Sequence, residues 1–162
     1  MSDERERLDA ALRDALSGRQ AHVATASVFD GLDWKLAGER PLNVPHSAYQ
    51  LLCHMVFWQD WVLKWLDRKR PTTPRHASGS WPEAPAPPGR QAWTREVRRL
   101  QAGLRQLDQH VGDADLLRKR KGGRGLDMLQ AIASHNSYHA GQVVQLRQML
   151  GSWPPPSGGL TW

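Results

Sequence analysis

The sequence predicts an all-α chain folded as a four-helix bundle, with long connecting loops and an extended proline- and tryptophan-rich C-terminal tail. Three observations predict it. Four segments repeat apolar residues every three or four positions, the period of one helix face. No segment alternates apolar and polar residues in the two-residue rhythm of a half-buried strand. The stretches between the four segments are rich in glycine and proline, which interrupt helices.

The first helix is expected over residues 4–30. Leu8, Leu12 and Leu16 mark its face, and Val23 and Phe29 extend the pattern past Gly18. Residues 31–44 form a connector. The second helix is expected over residues 45–69. Ser47 followed by Gln50 is a capping-box pattern, and Leu51, Met55, Val62 and Leu66 hold helical spacing. Residues 71–89 contain six prolines and Trp81, so they form a loop. A tethered loop of this length suits covering a site, with Trp81 as its anchor. The third helix, residues 91–111, spaces Trp93, Val97, Leu100, Leu104, Leu107 and Val111 as a bundle seam. Residues 112–125 lead to the fourth helix, residues 126–150, which Gly151 caps. The tail that follows carries Trp153 and Trp162 around a proline run, and is expected to pack on the body or on a partner subunit. One domain over residues 1–162 is large enough to bury roughly 70% of its unfolded surface.

The chemistry concentrates in Ser134-His135-Asn136-Ser137-Tyr138-His139-Ala140-Gly141-Gln142. Residues four apart on a helix lie one above the other, so His135 and His139 can converge on one metal ion. Both fall on the apolar stripe of Met128, Ile132, Val143, Leu146 and Leu150. An imidazole turned inward needs a partner, because an unpaired buried polar group costs roughly 1–3 kcal/mol. A metal ion is one such partner. A hydrogen bond to a carbonyl or carboxylate is the plain alternative. His54 on the second helix is the best candidate for a third ligand. It lines up with Gln50 before it and with Trp58, Trp61 and Trp65 after it. That row could wall a pocket, or could simply be core. Gln50 and Gln142 could orient a ligand or donate to a bound water. His22 reads as a pocket residue late in the first helix. Tyr138 points about 60° off the histidine face.

Composition narrows the function classes. No apolar run approaches the ~20 residues of a membrane span. The charged first residues have no signal-peptide core, and a single cysteine allows no internal disulfide, so a cytoplasmic location is expected. Cys53 points about 100° away from His54 and reads as a small buried hydrophobe. The net charge is +6, with basic tracts at Arg68-Lys69-Arg70 and Arg118-Lys119-Arg120-Lys121, followed by Arg124. No nucleic-acid motif accompanies them, and the glycines around Arg124 suggest a mobile, solvated loop.

These motifs resemble the DinB/YfiT-like superfamily of metalloenzymes over nearly the whole chain. The resemblance rests on Pro45-His46-Ser47-Ala48-Tyr49-Gln50-Leu51-Leu52-Cys53-His54, on His135-Asn136-Ser137-Tyr138-His139-Ala140-Gly141-Gln142, on Gln20-Ala21-His22, and on Trp153-Pro154-Pro155-Pro156. It implies a four-helix bundle with an unusual helix connection, a divalent metal held by His54, His135 and His139, and a homodimer. Some members of such a family use low-molecular-weight thiols such as bacillithiol, mycothiol or glutathione. Zinc, nickel and iron all suit imidazole ligands.

The leading expectation is therefore a metal-dependent enzyme. It would activate a small thiol or water against an electrophilic small molecule in a tryptophan-lined pocket, as a thiol-dependent S-transferase or a hydrolase. The motif lacks the glutamate of the His-Glu-x-x-His proteases, which argues against peptide hydrolysis by that route. Two alternatives stand beside it. One is a non-catalytic metal-binding or stress-response module, closed by a fourth side chain such as His22 or one from the tail. The other, less favoured, is a DNA-binding bundle using the basic tracts.

Overall fold

The computed structural model describes residues 2–159. It contains four α-helices: α1 (Ser2–Ser17), α2 (Ala48–Leu66), α3 (Arg90–Val111) and α4 (Gly125–Met149). Three short 3-10 turns punctuate the connections, and there is no strand among the described residues. Trp162 lies outside them.

α1 is shorter than the apolar pattern suggests. Gly18 takes φ +74°, and its N–H donates to the Asp14 carbonyl at 2.9 Å, so the helix closes in a left-handed cap. Val23 and Phe29 continue the hydrophobic pattern without continuing the helix. Both are buried in the same core from a non-helical segment. His22 is therefore a turn residue. Its imidazole packs so closely over Gly18 that a Cβ there would lie 2.2 Å from Cε1.

α2 starts at the capping box read in the sequence. Ser47 Oγ accepts from the Gln50 N–H, and Gln50 Oε1 accepts from the Ser47 N–H, each at 3.1 Å. At the other end of the chain, α4 stops at Gly151 (φ +65°). The Gly151 N–H donates to Gln148 O and the Ser152 N–H to Arg147 O, at 3.1 and 2.8 Å. This is a Schellman closure.

α2 packs against α3 and α4, while α1 packs against α4 and α3. α1 and α2 thus sit on one diagonal of the bundle, and the connector between them crosses it. Two apolar clusters fill the interior. One gathers Val28, Phe29, Leu51, Leu52, Met55, Leu100, Val143 and Leu146. The other gathers Leu12, Leu16, Val62, Leu63, Leu107, Val111, Leu129 and Ile132. His54 lies among the first set on α2, and His135 and His139 lie between the two sets on α4.

The tail folds back on this body. Trp153 packs against the first cluster, and the Arg147 guanidinium lies 5.6 Å from its ring. Arg147 is almost wholly buried, and its fork is satisfied by the Val28 carbonyl (2.7 Å) and the Ser152 carbonyl (2.8 and 3.1 Å). Three of its donors thus tie the tail to the segment after α1.

Candidate metal centre

His54, His135 and His139 come together, with one nitrogen of each within 4.8 Å of the others. His54 and His139 are buried and His135 is half-buried. The Nε2 atoms of His54 and His135 are 3.1 Å apart.

Each Nδ1 has its own acceptor. His54 Nδ1 is 3.3 Å from the Ser80 carbonyl, and His139 Nδ1 is 2.7 Å from Gln142 Oε1. His135 Nδ1 is 3.4 Å from Asn136 Oδ1. A carbonyl oxygen only accepts, so these contacts assign the ring protons to Nδ1 and leave lone pairs on Nε2. In that tautomer the Nε2 lone pairs of His54 and His135 face each other across 3.1 Å. Two nitrogens bound about 2.1 Å from one cation lie roughly 3.0–3.4 Å apart for angles between 90° and 109°. The donor set, three neutral imidazoles gathered within 4.8 Å, fits a divalent transition-metal ion.

Electrostatics favour the neutral rings this requires. Burial, then the His139 and His135 rings, holds His54 down at about 4. Burial and His139 hold His135 at about 4 against the Asn136 hydrogen bond. Burial also lowers His139.

The proline-rich loop closes one side. Trp81 stacks on His54 at 3.8 Å between ring centroids and, through its other face, on His46 at 3.8 Å. It meets His139 edge-on at 5.8 Å. Its neighbour Ser80 supplies the carbonyl for His54. His46 is the residue that site reasoning from sequence passed over. Its only signal was its place beside the α2 N-cap, and its stacking depends on a loop 35 residues away.

Other expected pocket residues fall elsewhere. Gln50 has its amide engaged by the cap and the loop: its oxygen completes the capping box and its Nε2 donates to the Pro82 carbonyl at 3.0 Å. It thus holds the loop. Trp58 touches His54 edge-on at 6.4 Å. Trp61 lies beyond Trp58 and lines a different cavity with Cys53, Asp60 and Arg99. Both tryptophans border the second apolar cluster. His22 is engaged away from the three histidines. Its Nδ1 meets the Val23 carbonyl at 2.7 Å and its Nε2 meets Ser137 Oγ at 2.9 Å. It clasps the post-α1 turn to α4. Tyr138 is 67% exposed. Cys53 is only partly exposed, and burial pushes its thiol up to about 11, which leaves it a poor nucleophile.

The basic tracts meet at one end of the bundle. Arg68 pairs with Asp115 at 2.6 Å, and Arg120 lies 4.7 Å over the Trp65 ring with Nη1 3.5 Å from the Leu66 carbonyl. Arg120 thus pins the segment that its glycines suggested was mobile.

A family model described as the DinB superfamily matches residues 5–143. The chain belongs to the DinB superfamily. Searches of curated proteins and of solved structures give no significant match. The DinB match covers α2, α3 and most of α1 and α4, and so includes all three histidines. No helix among the described residues is long and apolar enough to cross a membrane.

Proposed function

We propose that this DinB-superfamily chain is a metal-dependent enzyme whose divalent ion is held by His54, His135 and His139. We further propose that it works as a cytoplasmic homodimer on a small electrophilic substrate, as a thiol-dependent S-transferase or a hydrolase. The observation that carries this reading is the convergence of three imidazoles with every Nδ1 occupied and Nε2 left to coordinate. Three protein ligands are the number expected of a catalytic site, since they leave room for a reactant. A divalent ion bound there supplies Lewis acidity that favours the anion of a coordinated thiol or water near neutral pH.

The surrounding residues have definite parts in this scheme. The Ser80 carbonyl and Gln142 Oε1 hold the Nδ1 protons of His54 and His139 and fix how those rings point. Trp81 shields one face of His54 from water. No carboxylate joins the three-histidine group, so a general base of the His-Glu-x-x-His kind is missing among the described residues. A thiol nucleophile needs no such base, which favours transfer over hydrolysis.

The test is a screen of zinc-, nickel- and iron-loaded protein with low-molecular-weight thiols against a chloronitrobenzene and an epoxide. Consumption at least 10-fold above the uncatalysed rate, lost in His135→Ala, supports the proposal. Metal-loaded protein that accelerates neither thiol transfer nor ester hydrolysis replaces it with the non-catalytic metal-binding module.

A further inference from the structure

A cavity of about 370 Å³ opens beside the three histidines. Leu51, three residues before His54, and Gln142, three residues after His139, both line it. It therefore lies about one helical turn, ~5 Å, from the ligand histidines along both α2 and α4. Gln142 joins the two places directly, since the same side chain accepts the His139 Nδ1 proton. His46, stacked on Trp81, lines it as well.

The wall chemistry is distinctive. Leu42, Leu51, Leu146 and Met149 give it an apolar body, and no Asp, Glu, Lys or Arg lines it among the described residues. Each of four other cavities carries at least one charged side chain. Its volume falls in the ~300–1,000 Å³ range of small-ligand sites, which pair apolar walls with a few placed polar groups. A charged group entering it would lose hydration without gaining a partner. Leu42 and Met149 at the rim are 88% and 55% exposed, which puts apolar surface at the entrance.

We infer that this cavity holds the neutral, apolar body of the substrate, with the reacting end directed past Gln142 toward the three histidines. The inference rests on the metal-dependent reading above and adds a substrate class to it: uncharged hydrophobic electrophiles rather than anionic ones.

The experiment titrates the full-length, zinc-loaded protein with the neutral fluorophore N-phenyl-1-naphthylamine and with an anionic sulfonated analogue. Zinc content is measured on the same samples. The comparison protein carries Leu42→Glu and Met149→Glu, exposed positions where substitution costs the fold little. Expected are micromolar binding of the neutral probe, binding of the anionic probe at least 10-fold weaker, and a loss of at least 10-fold in the double variant with zinc unchanged. Zinc bound without probe binding overturns the cavity assignment and leaves the metal reading standing. Probe bound without zinc sinks the metal reading, and the substrate role with it. Unchanged probe affinity in a double variant that has gone from dimer to monomer assigns the face to a second copy of the chain and overturns the inference.

Discussion

Replacing Trp81 by alanine tests how the loop and the histidines depend on each other. The indole is stacked between His54 and His46, both at 3.8 Å, and meets His139 edge-on. Trp81 is half-buried, so truncation re-exposes on the order of 100 Å² of apolar area, about 2.5 kcal/mol at 25 cal/mol per Å². Each lost ring pair adds about 0.5–1.5 kcal/mol. The loop keeps two other ties, Gln50 Nε2 to the Pro82 carbonyl and Ser47 Oγ to the Pro85 carbonyl, so part of the cost stays local. A net loss of about 4 kcal/mol lowers the melting temperature of the metal-free protein by about 8–16 °C for a domain of this size. The Ser80 carbonyl that orients His54 sits one residue away, and losing such a partner weakens metal binding about 10- to 100-fold. Circular dichroism melts and competitive zinc titration read the two effects separately. Trp81→Phe, which keeps a stacking ring, should recover most of both. A Trp81→Ala protein with unchanged melting temperature and unchanged zinc affinity would mean that the loop is not docked on the histidines.

Acid should destabilise the metal-free protein in a defined window. His54 and His135 are held at about 4, below the 6.5 of an unfolded imidazole, so the unfolded chain binds more protons between those values. Stability is full above pH 6.5, falls through the window and levels below about 4. For buried His54 the drop is about 3 kcal/mol at most, and urea titrations of His54→Gln should show a flatter pH dependence. Gly103→Ala should destabilise by about 1–3 kcal/mol despite its better helix propensity. The new Cβ would lie 2.0 Å from Gln59 Nε2, a buried amide that donates to the Leu100 carbonyl at 3.1 Å. Thermal melts that show stabilisation would contradict that packing. Ser137→Ala breaks the hydrogen bond with His22 and should cost about 1 kcal/mol while leaving zinc stoichiometry unchanged. A loss of zinc in that variant would place His22 among the ligands.

Local signals were the legible ones. The α2 start could be read because a capping box is written within four residues, and α3 because its seam keeps one period from Trp93 to Val111. His135 and His139 could be paired because helical spacing alone makes them neighbours, and the family resemblance pointed to His54. The end of α1 was not legible. A glycine inside a helix and a left-handed capping glycine look alike in sequence, and Val23 and Phe29 keep the hydrophobic pattern because they fill the core from a loop. The partners of Gln50 were not legible for a related reason: a capping amide commits its oxygen locally, and its second partner, Pro82, lies 32 residues away. Trp58, Trp61 and Trp65 share a helical row with His54, but packing decides what such a row lines. They border the second apolar cluster, while the cavity beside the histidines is aliphatic. Burial of Arg147 depends on the returning tail, which no helical period encodes.

The most direct measurement is metal content by plasma mass spectrometry on protein purified without a histidine tag. His54→Ala and the double variant His135→Ala/His139→Ala are measured beside it, with circular dichroism confirming the fold. The account predicts close to one divalent ion per chain in the wild type and loss of that ion in both variants. Wild-type protein that holds no metal after exposure to zinc, nickel, iron and manganese would contradict it, and so would variants that retain the ion.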